Sequence, residues 1–153
     1  IKYKKHSDIL QVKNENTLFL EKIDETYFLS VENENVILIF KKSEEYANNS
    51  KFDIVQKIKD HKYTPIASIT ILDKNTFVTG ANGKLLLWSN QNTKNNKFEN
   101  VKTLNCTSKS TISNLTRYDS YSFISSSEPC FWYRNNNGLD FSGISFNNYD
   151  KFY

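Results

Sequence analysis

Apolar and polar residues alternate along much of this chain in runs too short for helices. Thr17-Leu18-Phe19-Leu20 and Tyr27-Phe28-Leu29-Ser30 are two such runs, parted by a polar turn built on Asp24. The order returns at Ile69-Thr70-Ile71-Leu72 and Phe77-Val78-Thr79-Gly80 around Asp73. It returns again at Leu115-Thr116-Arg117-Tyr118 and Tyr121-Ser122-Phe123-Ile124 around Asp119. A third apolar run follows each pair: residues 36–40, 84–88 and 130–132, ending in Phe40, Trp88 and Trp132. Short runs rich in β-branched and aromatic residues, bounded by Asp, Asn, Gly and Ser, predict β-strands joined by tight turns. Asn82-Gly83 predicts a two-residue hairpin turn, because both residues accept positive φ.

The anchors Asp24, Asp73 and Asp119 lie 49 and 46 residues apart, which is a repeat and not a coincidence of composition. Residues 52–58 and 101–104 read as a fourth strand closing the first and second copies, with the polar tracts 41–51 and 89–100 as surface connections. The chain 1–153 is therefore expected to be all-β, with repeats at 17–58, 66–104 and 113–133. Residues 134–153 form a C-terminal extension or a closing strand, carried by the strand-like run 141–146.

The second copy carries a family resemblance. Asp60-His61, Ile69-Thr70-Ile71-Leu72-Asp73 and the segment from Phe77-Val78-Thr79-Gly80 to Leu85-Leu86-Leu87-Trp88 together resemble a WD repeat. Two departures are Asp60, where Gly usually precedes the His, and Ser89, where Asp usually follows the Trp. The first copy ends in Phe40-Lys41 and the third in Trp132-Tyr133, so both are degenerate. The resemblance implies about three four-stranded antiparallel blades of a larger WD-type β-propeller, a fold that closes with about 4–8 blades. It implies structural work for His61, Asp73, Trp88, Asp119 and Trp132 within their blades. Large indoles such as Trp88 and Trp132 bury apolar area far more often than they stack on ligands.

In their order the copies are similar to the last blades of the WD-repeat proteins of the U3 small nucleolar ribonucleoprotein. The approach to the final Trp, Ser127-Glu128-Pro129-Cys130-Phe131, departs from the basic residues usual there. This resemblance implies a nucleolar scaffold that assists pre-rRNA processing and small-subunit assembly. Its partners would be the proteins of a multi-subunit complex, a small nucleolar RNA and the pre-ribosome. Lys62 and Lys84 are the candidates for contacts to RNA phosphates or partner proteins. The alternative is an unrelated WD scaffold of vesicle traffic, ubiquitin ligation or the cell cycle, cytoplasmic and binding peptides through its loops.

Composition narrows the classes further. Aromatics at 14% of 153 residues supply bulk for a core. Cys106 and Cys130 have neither CxxC nor Cys/His spacing, so no zinc site, other metal site or disulfide framework is expected, and a reducing compartment fits. No apolar run approaches the ~20 residues that cross a bilayer, so no membrane is expected among the partners. The formal charge of +3 permits nucleic acid nearby without requiring it. Sequons at Asn48, Asn105 and Asn114 are what an Asn-rich chain shows by chance, which weighs against a secreted carbohydrate-binding sandwich. With His6 and His61 the only histidines, four glycines and no nucleophile or phosphate-loop motif, neither an enzyme, a cofactor nor a small-molecule substrate is expected. The absence of Met and the start at Ile1 suggest the closing part of a longer chain, since three blades would leave apolar sheet faces in water.

Overall fold

The computed structural model describes residues 17–32, 36–43, 52–59, 65–91, 93–106, 109–126, 129–135 and 138–146. Strands β1 (Thr17–Lys22), β2 (Tyr27–Glu32), β3 (Val36–Lys42) and β4 (Phe52–Ile58) make the first sheet. The second holds β5 (Ser68–Asp73), β6 (Thr76–Gly80), β7 (Lys84–Ser89) and β8 (Glu99–Asn105). The third holds β9 (Leu115–Asp119), β10 (Ser122–Ser125), β11 (Cys130–Asn135) and β12 (Asp140–Ser145). Each sheet is an antiparallel meander in chain order, so within a sheet every strand after the first pairs with the one it follows. No α-helix occurs among the described residues.

Register sets which residues share a face, because directly opposed residues point the same way. Phe28 opposes Phe40, Phe77 opposes Trp88, and Phe123 opposes Trp132. These pairs mark the aromatic face of each sheet. The next residue along each β2-type strand, Leu29, Val78 or Ile124, marks the opposite, aliphatic face. The two are used differently. The first core packs Leu29, Val31, Ile37 and Ile39, from the aliphatic face of the first sheet, onto Ile69, Ile71, Phe77 and Trp88, from the aromatic face of the second. The second core packs Val78, Leu85 and Leu87, from the aliphatic face of the second sheet, onto Leu115, Phe123, Trp132 and Phe141, from the aromatic face of the third.

The interface therefore repeats with one direction, aliphatic face of one sheet to aromatic face of the next, and the middle sheet is buried on both sides. Adjacent sheets approach closest at their first strands, β1 beside β5 and β5 beside β9. Between the second and third sheets the segment 109–112 is laced in by backbone bonds from Gly83 N to Ser110 O (2.9 Å) and from Ile112 N to Ala81 O (3.2 Å).

Of two local features, one lies within the alternatives the sequence left open and the other differs from its expectation. The run 141–146, offered as an extension or a closing strand, contributes β12, the fourth strand of the third sheet, paired along the whole of β11. The connection at Asn82-Gly83 is not the mirror-image turn, because Gly83 alone takes positive φ (63°). Asn82 instead bridges to Thr111, whose hydroxyl donates to its Oδ1 at 2.7 Å.

Candidate interaction surface

The three Asp anchors are turn-formers. Asp24 Oδ1 accepts from the backbone N–H groups of Thr26 (2.7 Å) and Tyr27 (2.8 Å), and Asp73 Oδ1 accepts from Asn75 N–H (2.7 Å). Asp119 Oδ1 accepts from Tyr121 N–H (2.7 Å) and from the Ser122 hydroxyl (2.8 Å). A short carboxylate that satisfies backbone donors two and three residues on is the physical reason Asp recurs where the first hairpin of each sheet turns. The Ser122 hydroxyl, and next the Tyr121 N–H, hold the Asp119 carboxyl below the usual aspartate range.

Trp88 and Trp132 are buried in the two inter-sheet cores, and each indole finds a hydroxyl two residues beyond the opposing Phe. Trp88 Nε1 donates to Thr79 Oγ1 (2.9 Å), and Trp132 Nε1 donates to Ser125 Oγ (3.0 Å). The rings stack on their partners, Phe77 with Trp88 at 5.9 Å and Phe123 with Trp132 at 6.2 Å between centroids. Neither indole is placed to receive a ligand. The first sheet keeps the arrangement with one change: Phe28 and Phe40 stack at 4.5 Å, but Phe40 has no N–H to give, and the equivalent buried hydroxyl of Ser30 has no hydrogen-bond partner among the described residues.

Arg134 was not singled out by its sequence context. Its guanidinium is buried between the second and third sheets, reaches Asp73 Oδ2 at 3.1 Å, and lies over the rings of Tyr121 and Phe141. Asp73 thus serves two purposes, forming its own turn and anchoring the neighbouring sheet.

The surface feature with the form of a binding site is a groove of about 810 Å³ between the first and second sheets, at the end where β1 turns into β2 and β5 into β6. It is lined by Ile39, Val55 and Tyr27 and by the amide-bearing residues Asn75, Asn90, Gln91, Asn95 and Asn96. The exposed residues Lys74 and Lys97 line it too. One amide in this groove already shows what such a group does there. The Gln56 side chain donates to Phe98 O (2.7 Å) and accepts from Phe98 N–H (2.9 Å), pairing with a peptide group as a second strand would. The sequence hid this groove because its amides come from an Asn-rich tract that reads as compositional bias.

Lys84 is exposed at the start of β7, at the opposite end of the second sheet from the groove. The structure therefore does not bring it together with Lys74 and Lys97. His61 and Lys62 lie outside the described residues. Among the described residues no group of three or more His, Cys, Asp or Glu side chains is close enough to hold a metal ion. No protein-family model matches the chain, and no curated protein matches it.

Proposed function

We propose that this chain is part of a WD-type β-propeller that acts as a binding scaffold in a multi-subunit complex and performs no catalysis of its own. The observation that carries the reading is the unit repeated in all three sheets: a first hairpin turned by Asp, a Phe opposed to Phe40, Trp88 or Trp132, and a Ser or Thr at the position that receives the indole. Sheets built to stack face against face around their first strands present loops and inter-sheet grooves, which is where such a scaffold meets its partners.

The groove between the first and second sheets favours a protein segment as the occupant. Side-chain amides offer a donor and an acceptor together, as the backbone of an extended peptide does, and Gln56 makes that pairing with Phe98. In affinity capture, Asn95→Glu with Lys97→Glu, both exposed positions, is expected to release the bound proteins while Lys84→Glu retains them. Capture unchanged by the groove substitutions would remove this site from the account.

A second reading places the scaffold in a nucleolar ribonucleoprotein that assists pre-rRNA processing, with RNA held by phosphate contacts. It is favoured by the exposed lysines Lys74 and Lys97 that line the groove, and by the formal charge of +3. Its test is the salt dependence of affinity for a single-stranded uridine-rich RNA. A steep fall between about 50 and 200 mM salt supports this setting, and weak, salt-insensitive binding supports the protein-only scaffold.

A further inference from the structure

The two inter-sheet interfaces are built from the same positions, and they differ where the groove lies. In the third sheet the Arg134 backbone N–H donates to Tyr121 O (2.7 Å), so the residue two past Trp132 sits against the residue two before Phe123. The Arg134 guanidinium then crosses to Asp73 Oδ2 of the second sheet and lies over the rings of Tyr121 and Phe141. The second sheet repeats this backbone: Asn90, two past Trp88, donates its N–H to O of Asn75, two before Phe77 (3.1 Å). Phe98 tilts against Phe77 (5.1 Å, 56°) as Phe141 tilts against Phe123 (5.7 Å, 53°). Asp24 turns the first hairpin of its sheet as Asp73 does in the next.

Asp24, Asn75, Asn90 and Phe98 are thus the counterparts of Asp73, Tyr121, Arg134 and Phe141, and all four line the groove. The short Asn90 side chain does not cross to the first sheet as Arg134 crosses to the second. Asp24 is half-buried, its Oδ1 accepts from the N–H groups of Thr26 and Tyr27, and among the described residues its carboxylate makes no ion pair. A carboxylate beside an aromatic ring suits a guanidinium better than an ammonium, because the planar cation bonds the first along its edge and stacks on the second.

We propose that the groove binds an arginine side chain of a partner protein, its guanidinium paired with Asp24 and lying against Phe98, in the place that Arg134 fills at the neighbouring interface. Lys74 and Lys97 are exposed and line the same groove, so the segment accepted carries carboxylates beside its arginine. The inference rests on reading the groove as a protein-binding site.

The probe is a fluorescein-labelled peptide with one arginine between two glutamates, titrated with the 153-residue chain and followed by fluorescence anisotropy. A second peptide carries citrulline for arginine, which keeps the shape and removes the charge. The expected result is saturable binding that weakens about tenfold with citrulline, and about tenfold with Asp24→Asn. That substitution keeps the oxygen that accepts from Thr26 and Tyr27, so far-UV circular dichroism should be unchanged. Asn90→Arg should abolish binding and raise the urea midpoint, because it supplies the cation from within, and the rise should vanish when Asp24→Asn is added. Equal affinity for the two peptides overturns the proposal, as does the lack of saturable binding or binding that survives Asn90→Arg. Uridine-rich RNA bound in place of the peptide and lost on Asn90→Arg also overturns it. If partner capture still depends on Asn95 and Lys97 after any of these results, the groove stands and only the arginine is removed. Capture indifferent to those residues removes the reading beneath it.

Discussion

Three hydroxyls occupy one position in three sheets, and two of them receive an indole proton. Thr79 and Ser125 accept from Trp88 and Trp132, while Ser30 shares its face with Phe40 and its buried hydroxyl has no partner among the described residues. A buried hydroxyl lacking a hydrogen bond costs about 1–3 kcal/mol, and so does an indole N–H left orphaned. The same kind of substitution should therefore have opposite signs at equivalent sites. Ser30→Ala is expected to raise the unfolding free energy by about 1 kcal/mol, and Thr79→Val to lower it by about 1–2 kcal/mol, both read from urea denaturation. Equal signs would mean that the shared position has no shared chemistry. At Asp119 the residue scale becomes a pH dependence. Its folded pKa is held below the unfolded value of about 3.9 by Ser122 and Tyr121, so its contribution to stability is complete above that value. It is lost as pH falls through the folded pKa, because the unfolded chain then binds the proton more readily. Asp119→Asn should thus lower the Tm at neutral pH, with the gap to the unsubstituted protein narrowing in strong acid.

Individual strands were legible in the sequence wherever one face had to be buried, since a period of two leaves a visible alternation. This holds for β1, whose half-buried and exposed positions alternate, while the doubly buried β7 announced itself as the nearly continuous apolar run Leu85-Leu86-Leu87-Trp88. What the alternation could not give was the partner of β12, a choice decided by a contact between sheet positions and not by local pattern. Gly143 lies under the Trp132 ring, where an added Cβ would stand 2.8 Å from the nearest ring carbon. The close approach explains a glycine in mid-strand. Gly143→Ala is expected to destabilise by about 1–3 kcal/mol and to shift Trp132 fluorescence, because the ring must move to admit the methyl group. An unshifted spectrum with full stability would place β12 elsewhere. The Asn82-Gly83 turn was misjudged for a related reason: the dipeptide suits the mirror-image turn, but the bridge from Asn82 to Thr111 decides its conformation.

At the scale of the molecule, the three sheets hold together through contacts that a single repeat does not contain. Arg134 is the clearest instance, since its ion pair with Asp73 joins residues 61 positions apart. Removing the carboxylate leaves the guanidinium buried and unpaired, whereas removing the arginine leaves Asp73 half-buried and still bonded within its own turn. Asp73→Asn is therefore expected to cost on the order of 2 kcal/mol, and Arg134→Met less. Sequence spacing made the repeat visible, but it could not indicate the direction of stacking, the groove or its amides, because these arise between sheets. The stack is held most by the middle sheet, which its neighbours cover on both sides. Native-state hydrogen exchange tests this directly. Amides of β6 and β7 should be the slowest in the chain, exchanging only with opening of the whole stack, while those of β4 and β12 exchange faster. Exchange of β6 and β7 as fast as that of the flanking sheets would contradict it, since each sheet would then be opening on its own.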